Sequence, residues 1–163
     1  MYFKITIRLP YSQAHVKREV SSDTSQSLFY QYLYLQATGH HLPLHILREM
    51  TAEQKGAFRV IGASCHSVEE AVEAQGLGCM YITAGHVFET DCKKDLPGRG
   101  LDFLKAVCGS VSIPVYAIGG ISAGNLCAVR GAGASGACVM SGLMRCEDPK
   151  TYLASFPVVQ EDT

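Results

Sequence analysis

The chain lacks an excess of either charge: 14 Lys+Arg stand against 15 Asp+Glu in 163 residues, a formal net charge of −1. That balance leaves no electrostatic footprint for nucleic acid or for an acidic membrane surface. No apolar run approaches the roughly 20 residues that span a bilayer. Met1-Tyr2-Phe3-Lys4 opens neither a signal-peptide apolar region nor a cleavage site. A soluble, cytoplasmic protein with no nucleic-acid or membrane partner is expected. There are seven cysteines but no C-x-x-C, so no metal site is expected. Seven is odd, nothing indicates secretion, and most of these thiols sit beside Ala, Val or Met, where Cys acts as a small hydrophobe. The length also falls short of the roughly 200 to 250 residues of a complete eight-unit barrel.

Glycine is scarce at first and then abundant. Only Gly39 and Gly56 precede residue 61, whereas seven of the fourteen Phe and Tyr lie within the first 35 residues. From Phe58 the chain repeats a short apolar run, a Gly-containing turn and a helix. Expected strands are Phe58–Ser64, Met80–Ala84, Ile113–Ile118 and Gly136–Met140, with a further one within Tyr32–Leu42. Their centres, near 41, 62, 83, 116 and 138, mostly repeat every 21 or 22 residues, and the longer step contains the loop at 85–100. Capping boxes, which satisfy the free N–H groups at a helix start, are expected at Thr51/Gln54 and Ser67/Glu70. The helix after Ser67 should bury Val68, Ala71 and Val72. Short apolar strands alternating with single helices indicate parallel βαβ units buried on both faces. Residues 1–31 form a separate N-terminal arm in this reading. Met1–Leu9 alternates like a strand, and 11–27 are polar with no helical stripe. The remainder, 32–163, is the α/β domain.

In parallel α/β folds, ligands meet the C-terminal ends of the strands. Two successive ends, Ile118-Gly119-Gly120-Ile121 and Met140-Ser141-Gly142, combine glycine with a following helix. Glycine permits close backbone approach and N–H groups at helix starts bind anions, so the pair suggests a phosphate cradle. The long loop Gly85-His86-Val-Phe-Glu89-Thr90-Asp91-Cys-Lys93-Lys94 follows another strand end. His86 suits proton transfer near neutrality, and Lys93 suits contact with an anion. The histidines at 40, 41 and 45 do not make a metal site, because Pro43 breaks the helical spacing that would bring His41 and His45 together. His66 adjoins Cys65, but neighbouring strand residues point to opposite faces, which disfavours a Cys–His pair.

These strand ends, in this order, resemble the thiamine phosphate synthase/TenI superfamily of phosphate-binding (β/α)₈ barrels. The matching residues are Gly39-His-His-Leu-Pro43, Ile61-Gly-Ala-Ser64, Tyr81 to Lys93, Pro114 to Ile121 and Val139-Met-Ser-Gly142. The resemblance implies an incomplete TIM (β/α)₈-type barrel, about five parallel βα units preceded by an arm or strand. Gly85-His-Val-Phe-Glu-Thr90 resembles the thiazole tautomerase (TenI) branch, where synthases usually carry Gly-Pro-(Ile/Val)-Phe-x-Thr-x-Thr-Lys. That branch implies conversion of a thiazole carboxylate phosphate to its aromatic tautomer. His86 would move the proton, Thr90, Lys93 and Ser64 would contact substrate, and Gly119, Gly120, Met140 and Ser141 would hold the phosphate. The alternatives are a thiamine phosphate synthase-like chain, joining a pyrimidine pyrophosphate to a thiazole phosphate, and a non-catalytic phosphate-binding relic. A synthase also carries Gln-x-Arg-x-Lys and Asn-Asp-Arg strand ends for the pyrimidine pyrophosphate and its Mg²⁺. Neither occurs before Gly39. No cofactor is expected, Mg²⁺ entering only with synthase activity. The small-molecule partner is a thiazole phosphate, and a second copy of the chain could cover the open barrel edge.

Overall fold

The computed structural model describes residues 40–90, 93 and 96–156, and the backbone of 2–8 and 15–19. Its strands are β1 (Tyr2–Arg8), β2 (His15–Glu19), β3 (His40–Pro43), β4 (Ile61–Cys65), β5 (Tyr81–Gly85), β6 (Val115–Ile118) and β7 (Gly136–Val139). The helices are α1 (Leu44–Glu49), α2 (Ala52–Gly56), α3 (Val68–Gly76), α4 (Gly100–Ser110), α5 (Leu126–Gly131), α6 (Ser141–Arg145) and α7 (Pro149–Ala154). The strands form one sheet in the order β2-β1-β7-β6-β5-β4-β3. From β3 to β7 every neighbouring pair is parallel and consecutive in the chain. This is the expected run of five βα units, and among the described residues no strand joins β2 to β3.

The arm departs from the expectation. β1 is the alternating strand near the start, and it lies antiparallel along the free edge of β7. The polar stretch beyond it contains β2, antiparallel to β1. Side-chain pattern gave no sign of β2; an edge strand is recruited by the unpaired N–H and C=O groups of its neighbour. The expected strand within 32–42 begins at His40, and 32–39 lie outside the described residues.

The strand residues that alternate toward the helices are apolar and buried: Ile61, Ala63 and Cys65 on β4, Ile82 and Ala84 on β5, Val115 and Ala117 on β6, Ala137 and Val139 on β7. Leu44 and Leu47 of α1, Leu104 and Val107 of α4, and Leu126 and Val129 of α5 join them in one core. On α3 the buried residues are Ala71 and Ala74, while Val72 is 48% exposed. The core stripe therefore follows the i, i+3 pair of alanines, with Val68 partly buried beside it. Burial pushes the Cys65 thiol up to about 12 and those of Cys79 and Cys108 to about 11. Such thiols stay protonated and inert, as packing residues do.

The helix starts follow local chemistry. At Thr51 both arms of the capping box form: the Gln54 N–H donates to the Thr51 hydroxyl (3.2 Å), and the Thr51 N–H donates to the Gln54 side chain (2.8 Å). At Ser67 only one arm forms, because the Glu70 carboxylate accepts instead from the His66 N–H at 2.5 Å. Replacing Thr51 by alanine is expected to lower stability by about 0.5 to 2 kcal/mol, the usual worth of an N-cap, measurable as a lower urea midpoint with an unchanged slope. Between helices, Arg48 of α1 grips Glu73 of α3 through two hydrogen bonds of 2.7 Å. The guanidinium holds the Glu73 carboxyl below its ordinary value. Its contribution is therefore present above the ordinary carboxylate pKa and fades as the pH falls through the lowered one.

Candidate functional site

The C-terminal ends of β4 to β7 open into one cavity of about 940 Å³. The eight residues named for catalysis, substrate and phosphate line it. Gly119 and Gly120 follow β6, Met140 and Ser141 follow β7, and His86, Thr90 and Lys93 belong to the loop after β5. Ser64 rises from β4. Parallel pairing of consecutive strands brings them together, since every strand of such a sheet ends on the same side.

Gly119 and Gly120 take φ of +95° and +64°, a region that side chains other than glycine rarely adopt. They also sit too close to the β5 loop for a side chain. A Cβ at Gly119 would lie 2.7 Å from the His86 Cα, and one at Gly120 would lie 2.7 Å from the Phe88 Cβ. The loop returns the contact: Val87 N–H donates to Ile118 O (2.9 Å) and Phe88 N–H to Gly119 O (3.1 Å). Among the described residues, the Gly119 and Gly120 N–H groups donate to no backbone carbonyl. Asn125, which the sequence reading missed, fixes the turn beyond them. Its side chain donates to Gly120 O (2.8 Å) and accepts from the Ser122 N–H (2.9 Å). An Asn four residues past a Gly-Ile step, just ahead of a helix, was the available signal.

His86 is buried, at 6% exposure. Its Nε2 lies 3.0 Å from Pro97 O and 3.3 Å from Leu96 O. Both are acceptors, so Nε2 carries the proton and donates. Nδ1 is buried and has no partner among the described residues. The backbone of the same residue also ties down the returning loop, accepting from Arg99 N–H at 3.1 Å. His86 thus pins the loop at 96–100 to the end of β5.

One further histidine lines the site, and another lies behind it. His66 donates from Nδ1 to Gly85 O (2.7 Å) and is exposed at the cavity, while Cys65 beside it is fully buried. The two point to opposite faces, as strand geometry requires. His41 of β3 lies 2.8 Å from the Ser64 hydroxyl through Nε2 and 3.2 Å from the Tyr81 hydroxyl through Nδ1. Thr83 donates to the Ser64 oxygen at 3.2 Å. His40, one residue earlier, turns the other way and stacks on Phe58 with ring centroids 4.2 Å apart. Arg145 of α6 and Tyr152 of α7 complete one wall. The Tyr152 ring lies over Gly142, where a Cβ would overlap its hydroxyl end.

Lys93 and Thr90 are joined at the backbone, Lys93 N–H donating to Thr90 O at 2.9 Å. Glu89 is the one carboxylate among the described residues lining the cavity. Among the described residues no three His, Cys, Asp or Glu side chains gather as metal ligands. None of their helices is long and apolar enough to cross a membrane.

Comparison with known proteins gives a consistent result. Residues 30–143 match the family model described as thiamine monophosphate synthase. A thiamine-phosphate synthase of Caldivirga maquilingensis is 39% identical over 120 residues, covering 74% of this chain and 58% of that protein. One from Pyrococcus horikoshii is 41% identical over 109 residues, covering 67% of this chain and 50% of that protein. The solved thiamine phosphate pyrophosphorylase of Pyrococcus furiosus superposes with a TM-score of 0.65 at 35% identity, covering 78% of this chain and 61% of that one. The chain spans between half and about three fifths of the length of these relatives. Their name overturns the tautomerase reading suggested by Gly85-His86. In this fold His86 Nε2 is engaged by two loop carbonyls.

Proposed function

Because the chain belongs to the thiamine monophosphate synthase family, we propose that it acts in joining a pyrimidine pyrophosphate to a thiazole phosphate. In that reaction a bond forms between the thiazole ring nitrogen and the carbon bearing the pyrophosphate. The carbon–oxygen bond breaks, and pyrophosphate leaves with the electron pair. The observation carrying this reading is the 39–41% identity to thiamine-phosphate synthases over 109 to 120 residues.

Each site residue then has a role. The N–H groups of Gly119 and Gly120 and the Ser141 hydroxyl seat the thiazole phosphate, with the Met140 backbone leading into that turn. Hydrogen bonds to a charged oxygen are worth about 1.5 to 3 kcal/mol each, enough to place the ring by its phosphate. Ser64 and Thr90 offer hydroxyls to the substrates, and the Lys93 ammonium faces the charge that grows on the departing pyrophosphate. His86 keeps the loop carrying Thr90 and Lys93 against the cradle. The family reaction calls for Mg²⁺, a hard cation that takes oxygen ligands. Glu89 alone among the described residues lining the cavity offers a carboxylate. These residues therefore do not fit the metal.

Calorimetric titration tests the seat. The thiazole phosphate is expected to bind at least about tenfold more tightly than its dephosphorylated alcohol, the least that one charged hydrogen bond gives. Equal affinity would remove the cradle from the proposal. Formation of thiamine phosphate is then followed with the chain alone and with an added segment carrying Gln-x-Arg-x-Lys and Asn-Asp-Arg. Product from the chain alone means that it holds a complete site. Product only on addition means that it supplies the thiazole-phosphate half. Binding without product in either mixture leaves a phosphate-binding protein.

A further inference from the structure

We propose that Ser64, His41 and Tyr81 form a reactive serine centre on the floor of the cavity, able to take an acyl group from a small ester. One set of donor and acceptor directions makes the hydroxyl a nucleophile. With the Thr83 hydroxyl donating to the Ser64 oxygen at 3.2 Å, the Ser64 proton is left for His41 Nε2, 2.8 Å away, a nitrogen that also lies 3.4 Å from the Thr83 oxygen. An accepting Nε2 places the ring proton on Nδ1, where the Tyr81 hydroxyl oxygen lies 3.2 Å away as acceptor. Nucleophile, base and a group orienting the base thus stand in hydrogen-bonded sequence, the arrangement that activates a hydroxyl for attack.

The sheet makes this sequence rigid. His41, Gly62 and Tyr81 are direct ladder partners across β3, β4 and β5, and Ser64 and Thr83 are partners two positions further toward the cavity. Gly62 is essential to the row, since a Cβ there would overlap the Tyr81 ring. Ser64 follows two residues later on the same face of β4. The run Ile61-Gly-Ala-Ser64 therefore provides both the slot for the orienting tyrosine and the nucleophile. Ser64 and Thr83 open on the cavity, whereas His41 and Tyr81 lie outside its lining.

The step balances as follows. The Ser64 oxygen bonds to the ester carbonyl carbon and gives its proton to His41 Nε2. The carbon–oxygen bond to the alcohol breaks, and the leaving oxygen takes that proton. Water then attacks the acyl-serine carbonyl and gives a proton to His41 Nε2. The bond from that carbon to the Ser64 oxygen breaks, the Ser64 oxygen takes the proton back from His41, and a carboxylic acid leaves. This chemistry goes beyond the synthase reading, which asks Ser64 only to touch substrate, and it does not depend on the Gly119–Gly120 cradle.

The test is reaction of the full chain with an alkyl fluorophosphonate, in which the serine oxygen bonds to phosphorus and fluoride leaves. Peptide mass spectrometry is expected to find one adduct, on Ser64. His41→Gln should slow the labelling at least tenfold. Tyr81→Phe keeps the ring in the Gly62 slot and should slow it several-fold without lowering the melting temperature. The wild-type protein should also release a burst of about one equivalent of p-nitrophenol from p-nitrophenyl acetate, lost in Ser64→Ala. An unmodified Ser64 in protein that melts cooperatively would overturn the proposal without recourse to any variant. So would His41→Gln labelling as fast as wild type, which would leave the cluster as a satisfied polar network only.

Discussion

Gly119→Ala is expected to weaken binding of the thiazole phosphate by at least about a hundredfold, while the circular dichroism spectrum keeps its shape. Two independent effects converge on this residue. The backbone holds φ at +95°, which costs a residue with a Cβ roughly 1 to 2 kcal/mol. The added carbon would also fall 2.7 Å from the His86 Cα, and a backbone atom cannot swing aside as the end of a side chain can. Relief requires the Gly119–Gly120 peptide to rotate or the β5 loop to lift. Either movement turns both N–H groups away from the phosphate, and losing two charged hydrogen bonds amounts to about 3 kcal/mol or more. Gly124 is the control within the same connection. Its φ is unexceptional, and a Cβ there would meet only the Ser122 hydroxyl, at 3.9 Å. Gly124→Ala should therefore bind as wild type does. Titration calorimetry on the pair decides the matter, and equal affinities would show that the cradle does not carry the phosphate.

How much of this was legible in the sequence depends on the distance over which each feature is set. β4 to β7 fell within two or three residues of their apolar runs, because parallel strands buried on both faces carry their own signature. The meeting of Ser64, His86, Gly119 and Ser141 in one cavity followed from topology alone. Features that depend on a partner remote in sequence were illegible. That His86 Nε2 meets the Leu96 and Pro97 carbonyls is stated by no motif. The His41–Ser64 contact requires the register of β3 against β4, and Tyr152 reaches Gly142 only through the turn between α6 and α7. On α3, Val72 looked like core because periodicity cannot say which of two adjacent stripes faces the sheet. The tautomerase assignment failed for a related reason. It weighed one loop residue, while identity spread over 109 to 120 residues tracks the whole set of packing and site constraints.

The stability of the helical layer concentrates in a few side chains, and Leu104→Ala should show it. Cys65, Ala84, Ala117 and Ala137 stand opposite one another across β4 to β7, all at 2% exposure or less. Such a floor of small side chains lets the helices approach closely but contributes little volume of its own. The space above it is filled from the helices, and Leu104, at 0% exposure on α4, belongs to that core. α4 packs on β5 and β6 and lies between α3 and α5. Because alanines have no side-chain reach to collapse into a vacated space, the cavity should persist. The loss should fall in the upper part of the usual range for Leu→Ala, about 3 to 5 kcal/mol. For a chain of this size that corresponds to a melting temperature lowered by roughly 6 to 20 °C. Val72→Ala, at a position 48% exposed, should shift it far less. Scanning calorimetry on the two variants separates the cases: equal shifts would mean that the helical layer is loosely packed over the alanine floor and that Leu104 does not hold it.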